Sequence, residues 1–370
     1  MSQCRYPLHI LKSVINLKNK PLLGIMTISL GWLEDSYLVY LDLEAELTEL
    51  GVDVVVFTPY GINWTRETVS GLVFQDGKWD RGVTRFPDVV YNRLYGTNPK
   101  TIGRLAQKLG SQRVYNRENR LDKAEVGNIL ARSKLQRYLP ETLEYSWDNL
   151  NKLLKKHQRV ILKPAYGHYG FDIFLLVQAE SQVQVYIETL RKPAYRFSNE
   201  QSLRTWTEEM LTEQAERKYL VQQWIEPLKY EKRFFDLRLL LQRNGRGTWE
   251  VTAMMSRINR LNYFISNFVY RIVDGRELLK KQGLVRLAQE LDKIGIETAQ
   301  TLNQKLGPFA ELSVDFLIDS RNQPWIIEVN GKPRRDLFED FADDQLLKKI
   351  YLQPLIYGRY LALQKLKGQR

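Results

Sequence analysis

One cysteine, Cys4, stands in a chain of 370 residues, so no intramolecular disulfide forms and no cysteine-rich zinc or iron–sulfur site can be built. The three histidines, His9, His157 and His168, lie too far apart for an HExxH pair, which disfavours a d-block metal centre. A GxxxxGK[ST] phosphate loop is absent, and no GxGxxG follows the first apolar run, so neither common nucleotide fingerprint is present. No stretch reaches about 18 uncharged apolar residues, the length a membrane-spanning helix needs. The opening MSQCRYPLHI lacks the apolar core and small-residue site of a secretory leader, and the expected compartment is the cytoplasm.

The chain is rich in ordinary globular material: 44% hydrophobic, 26% charged and 11% aromatic, with 22 Gly and 13 Pro. Its length exceeds one compact core and predicts two or three. A net charge of +12 favours anionic partners without choosing among nucleotides, acidic peptides, nucleic acid and acidic lipid.

From Pro21 to Pro59, an apolar run, a helix-patterned segment and the β-branched VDVVVF after Gly51 read as strand, helix and strand. A third strand, DVVY, follows the hairpin-like GLVFQDGKWDRG, and together they predict an open α/β domain of residues 1–115. The second pattern opens with strand RVILKP, the glycine-bearing turn AYGHYGFD and strand IFLLVQ. The segment 200–218 reads as a helix leading into a strand YLVQQWIE that ends at Glu226. Two hairpins are predicted beyond it. One turns at Asn244 to Gly247; the other, ELSVDFLID and PWIIEVN, turns at Ser320 to Pro324. A helix is predicted from Glu277 to Leu306, and closing helical segments are split by Pro354.

Strand alternation places Glu328 and Asn330 on one face of the last strand, where Asp315 of its partner can join them. Such hard oxygen donors suit Mg²⁺ held together with phosphates. A solvent-facing polar row is the competing reading, weakened by the apolar setting of VDFLI and WIIEVN. Lys163, at a strand end before glycines, suits a phosphate cradle, although an ordinary tight hairpin fits equally. Arg238 and Arg257 stand on the two arms of one hairpin; facing inward, they can neutralise a carboxylate or an acyl phosphate.

In this order, FPDVVYNRLY, Asp122–Lys123, ILKPAYGHYG, YLVQQWIE, FDLRLLLQRN and WIIEVNGKP resemble the ATP-grasp superfamily. Within it they are similar to the YheC/YheD-like group associated with the endospore coat. The resemblance implies an α/β and α+β ATP-grasp fold with an N-terminal Rossmann-like (pre-ATP-grasp) domain. Its central lobe would span 116–225 and carry the glycine turn; its C-terminal lobe would span 226–370 and carry the metal site. It further implies that Lys123 and Lys163 contact ATP phosphates beneath a turn containing Gly167 and Gly170. Gln222, Gln223, Trp224 and Ile225 would line the adenine slot, with backbone groups of Gln223 and Ile225 reading the base. Glu226 or Glu231 would take the ribose. Asp315, Glu328 and Asn330 would hold Mg²⁺, and Arg238 and Arg257 would flank the transferred phosphate, with Asp236 positioning Arg238.

The chemistry implied is ATP-dependent carboxylate–amine ligation through an acyl phosphate, on a small molecule or peptide bearing the carboxylate and an amine acceptor. Because the turn reads Gly167, His168, Tyr169, Gly170, Phe171, Asp172 where the group pattern is GSxGRG, a second reading stands beside it. In that reading the chain is a non-catalytic nucleotide-binding coat or assembly protein, with spore-coat proteins as partners. Nucleic-acid binding ranks third, since no reading motif accompanies the charge.

Overall fold

The computed structural model describes residues 20–30, 42–94, 99–118, 120–166, 171–212 and 218–368. Their strands form three sheets. The first contains β1 (Leu22–Met26), β2 (Asp53–Phe57), β3 (Ile62–Asn63), β4 (Thr68–Gln75), β5 (Lys78–Arg85), β6 (Val89–Asn92) and β7 (Val114–Tyr115). Its order is β3-β4-β2-β1-β6-β7 with β5 beside β4, and β2, β1, β6 and β7 run parallel. The near-continuous apolar runs LLGIM and DVVVF suit these strands, which are covered on both faces.

The second sheet is β8 (Thr142–Glu144), β9 (Arg159–Pro164), β10 (Phe174–Ala179), β11 (Gln182–Ile187), β12 (Tyr195–Phe197) and β13 (Tyr219–Gln223), ordered β12-β11-β10-β9-β13-β8. Leu150, Leu153 and Leu154 of a helix at Trp147–His157 pack on Val160, Leu162 and Val221. The third sheet is β14 (Lys229–Tyr230), β15 (Arg233–Arg243), β16 (Trp249–Asn259), β17 (Val269–Asp274), β18 (Glu311–Ile318) and β19 (Pro324–Asn330), ordered β17-β16-β15-β18-β19 with β14 on β15. Both hairpins read from the sequence are present.

Alternation along β15 and β18 divides the third sheet's two faces. Leu237, Leu239, Leu241, Val314 and Phe316 join a core with Leu291 and Leu302 of a long helix and with Val126 and Leu130 of the helix that Lys123 begins. The opposite face contributes Leu240, Ala253 and Met255 to a core shared with Leu23, Ile25, Tyr91 and Tyr115 of the first sheet. Toward the first sheet this face also carries buried polar groups. Glu311 accepts from Arg93 Nη1 at 2.8 Å, from Gln242 Nε2 at 2.9 Å and from the Tyr91 hydroxyl.

Three sequence expectations need correction. The helix from Glu277 to Leu306 is two helices, Gly275–Lys281 and Val285–Leu306, because Gly283 takes a left-handed φ of 75° and Leu284 donates back to the Leu279 carbonyl. The strand expected to reach Glu226 stops at Gln223. Pro354 does not split the last helix, which runs unbroken over Asp344–Gly368. A proline lacks the N–H that would bond the carbonyl four residues back, here that of Ile350. Gln242 Nε2 donates to that carbonyl at 2.8 Å, so the loss is repaired from the third sheet.

The same helix is locked against the first sheet at Gly358, where an added Cβ would lie 2.6 Å from Tyr115 Oη. Tyr115 is fully buried and its hydroxyl donates to the Pro354 carbonyl at 3.0 Å, so it cannot retreat without losing that bond. Gly358→Ala is expected to destabilise by about 1–3 kcal/mol in urea unfolding, overpacking outweighing a helix-propensity gain of about 1 kcal/mol.

Candidate functional site

Lys123 opens its helix directly after Asp122, whose side chain caps it by accepting from the Glu125 N–H at 2.8 Å. Its backbone N–H bonds the Ala165 carbonyl at 3.3 Å, which ties the helix start to the segment just after β9. Lys123 Nζ lies 3.2 Å from Glu328 Oε1 of β19. Lys163, at the end of β9, is buried and donates to Gln222 Oε1 of β13 at 2.8 Å. Burial, then the charge of Lys123, pushes the Lys163 ammonium down to about 7 against the pull of Glu328. Two cations and one carboxylate from three separate stretches of chain therefore share one electrostatic site. Gly167 and Gly170 lie outside the described residues.

Beside this group the third sheet carries four buried charges. In register, Asp236 faces Arg257, Arg238 faces Asp315, and Asp315 faces Glu328, while Asn330 faces Ser313 two residues along on the same side. Asp315, Glu328 and Asn330 thus stand on one face of paired strands: alternation gives Glu328 and Asn330 their common face, and a register irregularity between Asp315 and Phe316 brings Asp315 opposite Glu328. Asp315 is already engaged: Arg238 grips it through Nε and Nη2, each at 2.7 Å, and Arg257 Nη2 donates to it at 2.9 Å. Burial works to raise the Asp315 carboxyl, yet the two guanidiniums hold it below the usual carboxylate range.

Asp236 does not position Arg238, as the sequence reading expected. Both its oxygens accept from Arg257, the residue opposite it across the β15–β16 pair, while Arg238 is taken by Asp315 across the β15–β18 pair. Burial raises the Asp236 carboxyl even against Arg257, and Arg257 is held protonated by Asp236 and Asp315 although burial disfavours its charge. Two arginines and two aspartates make a neutral set in which each ion has a partner.

At the end of β13, Gln222 is oriented by Lys163, and the Gln223 N–H is spent on the Glu141 carbonyl at 2.8 Å, so it is not free to read a base. Ile225 is buried. Trp224 packs edge-on to Phe234 and Phe264, and its Nε1 donates to Glu226 at 3.0 Å. Glu226 also accepts from Arg159 at 2.9 Å, whereas Glu231 is exposed in a left-handed turn with φ of 50°.

Among the described residues, no three His, Cys, Asp or Glu side chains gather as a metal cluster. The expected donor set differs in kind, with two carboxylates and an amide. Sequence reasoning missed Asn116, which is buried in a left-handed conformation with φ of 53°. Its Nδ2 donates to the carbonyls of Glu311 at 2.9 Å and Gly331 at 2.8 Å, and its Oδ1 accepts from the Ala310 N–H at 2.8 Å. It anchors the backbone next to Asn330 to the end of β7, and nothing in RVYNRENR signalled that.

The model of the YheC/D-like ATP-grasp family matches residues 111–361, more than half of the chain. The chain belongs to that family. The endospore coat-associated protein YheC of Bacillus subtilis (strain 168) is 26% identical over 358 residues, covering 90% of this chain and 96% of that protein. Among solved structures, the D-alanine–D-alanine ligase of Coxiella burnetii aligns with a TM-score of 0.51 at 11% identity, over 95% of this chain and 98% of that one. The ATP-grasp ligase PsnB, solved with a minimal precursor, aligns with a TM-score of 0.53 at 12% identity, over 93% and 99%. The ATP-grasp fold expected from the motifs is therefore the fold observed. No described helix is long and apolar enough to cross a membrane.

Proposed function

We propose that this chain is an ATP- and Mg²⁺-dependent carboxylate–amine ligase working through an acyl phosphate, with residues 1–115, 116–225 and 226–370 as its three units. The observation that supports it most is the meeting of Lys123, Lys163 and Glu328 beside the Arg238–Asp315–Arg257 set. The ligases among the fold relatives agree with it.

In this reading Lys123 and Lys163 hold ATP phosphates, and Gln222, Trp224, Ile225 and the Gln223 carbonyl side line the base. Glu226 is the better placed acid for the ribose, since Trp224 and Arg159 fix its position. The donor set fits Mg²⁺. Each carboxylate oxygen has two acceptor sites, and Asp315 Oδ1 takes only one of its three arginine bonds, so one site on it is open. Asp315, Glu328 and Asn330 would hold the ion, which when bound offsets phosphate charge and orients the transferred group. Lys123 exchanges Glu328 for phosphate as nucleotide arrives, leaving that carboxylate for the metal. Arg238 and Arg257 lie along the path of the carboxylate that attacks the terminal phosphate, and stabilise the acyl phosphate until the amine displaces phosphate. The relative's coat association extends in this proposal to the present chain, whose substrate would then be a small molecule or peptide of the forming coat.

The test is ADP release by the purified chain with Mg²⁺, ATP and pools of amino acids and short peptides, with products weighed by mass spectrometry. Nucleotide-induced thermal stabilisation with no ADP release from any pool would replace ligation by simple nucleotide binding. Glu328→Gln is expected to weaken Mg²⁺-dependent ADP binding about tenfold while leaving metal-free ADP binding no weaker, since Lys123 loses the carboxylate that competes with phosphate for it. An unaltered Mg²⁺ dependence would remove Glu328 from the metal site.

A further inference from the structure

Three neighbouring strands of the second sheet place polar side chains in a row. Thr142 of β8 lies directly opposite Gln222 of β13, and Lys163 of β9 lies diagonally beyond it on the same face. The Thr142 hydroxyl donates to the Pro140 carbonyl at 2.9 Å, Gln222 Nε2 donates to Thr142 Oγ1 at 2.8 Å, and Lys163 Nζ donates to Gln222 Oε1 at 2.8 Å.

The direction of this row follows from what each group can do. A hydroxyl has one proton, and that of Thr142 is committed to Pro140, so toward Gln222 it offers only a lone pair. An ammonium only donates, so Lys163 requires an oxygen. Both neighbours therefore demand one orientation of the Gln222 carboxamide, with nitrogen toward Thr142 and oxygen toward Lys163. Gln222 is largely buried, and the opposite orientation would set its N–H groups against the Lys163 ammonium and would gain a bond from the Thr142 hydroxyl only by giving up the Thr142–Pro140 bond.

We propose that Thr142 is a positioning residue that sets the base preference of the nucleotide site, by holding the Gln222 carboxamide oxygen toward the slot. The proposal rests on the nucleotide reading given above. Once phosphates draw the Lys163 ammonium, Thr142 alone fixes the amide. The second lone pair of Gln222 Oε1 then accepts from the 6-amino group of adenine and repels the 6-oxo group of hypoxanthine or guanine. A rotated amide would present N–H groups and reverse that preference.

Calorimetric titration with ADP and IDP in Mg²⁺ tests this without turnover. The wild type is expected to bind ADP about tenfold more tightly than IDP, Thr142→Val to narrow that ratio about fivefold, and Thr142→Ser to restore it. A carboxylate has two acceptor oxygens and no amide to rotate, so in a Gln222→Glu background the Thr142→Val change should leave the ratio unmoved. Far-UV circular dichroism and the unfolding midpoint establish that each variant is folded. A Thr142→Val protein that binds ADP with the full wild-type ratio overturns the proposal. So does a wild type that binds both nucleotides equally, which leaves the ligase reading standing. A wild type that binds neither overturns that reading and this inference together.

Discussion

Lys163→Met is expected to make the protein more stable at pH 6 and to weaken its affinity for nucleotide about 100-fold. The ammonium is buried at 6% exposure, and burial together with the charge of Lys123 pushes it down to about 7 from the 10.5 of a free side chain. Between those values the unfolded chain binds more protons than the folded one, so this residue makes stability rise with pH from about 7 to 10.5. Below about 7 both states are charged and the whole cost of burying the charge is present, at most about 5 kcal/mol at 1.36 kcal/mol per unit. Methionine has a similar length and no charge, but it leaves Gln222 Oε1 without its donor, which costs about 1–3 kcal/mol. The expected balance is a gain of about 1–4 kcal/mol at pH 6 that shrinks as pH rises toward 10, read by urea unfolding across that range. A charge-assisted bond to phosphate is lost at the same time, and ADP affinity should fall about 100-fold. A variant less stable than wild type at pH 6, or one that keeps its ADP-dependent thermal shift, would show that Lys163 is there for packing.

A destabilising lysine in a core is explicable if a ligand supplies the missing anion. The third sheet's last hairpin was readable because the turn signal at Ser320 to Pro324 separates two β-rich apolar runs, VDFLI and WIIEVN; the register that joins Asp315 to Glu328 was not, since it depends on an irregularity between Asp315 and Phe316 that leaves Ile327 without a partner across the pair. The partner of Asp236 was not readable. Asp236 and Arg238 share a face of one strand, so proximity along the chain suggests that they pair, whereas two different neighbouring strands claim them. Strand order across a sheet is set by packing far from either residue. The unbroken last helix was hidden for the same reason: the repair of the Ile350 carbonyl comes from Gln242, 108 positions away. Thr142 carried no signal either, since a threonine in a short strand is ordinary β material until Gln222 is placed opposite it.

Arg257→Met is expected to cost about 3–5 kcal/mol, the loss typical of a buried ion pair stripped of one partner. Arg257 donates to both carboxylate oxygens of Asp236, while Asp315 retains the two bonds from Arg238 when Arg257 is removed. The burden therefore falls on Asp236, whose carboxyl burial already raises. Without the guanidinium it is raised further, and the folded variant takes up a proton that the unfolded chain releases near 3.8. A raised carboxyl contributes stability that is present below the unfolded value and lost as pH rises, so the deficit of the variant should grow from pH 4 to pH 7. Asp315 acts in the opposite sense in the wild type: held low by both arginines, it contributes stability above 3.8 that fades in acid. Adding Asp236→Leu to Arg257→Met removes the orphaned carboxylate and should recover most of the loss, since apolar replacement of a whole buried pair is often neutral. If the single and double variants unfold at the same urea concentration at pH 7, the cost lies in the volume of Arg257 and its pairing with Asp236 adds nothing.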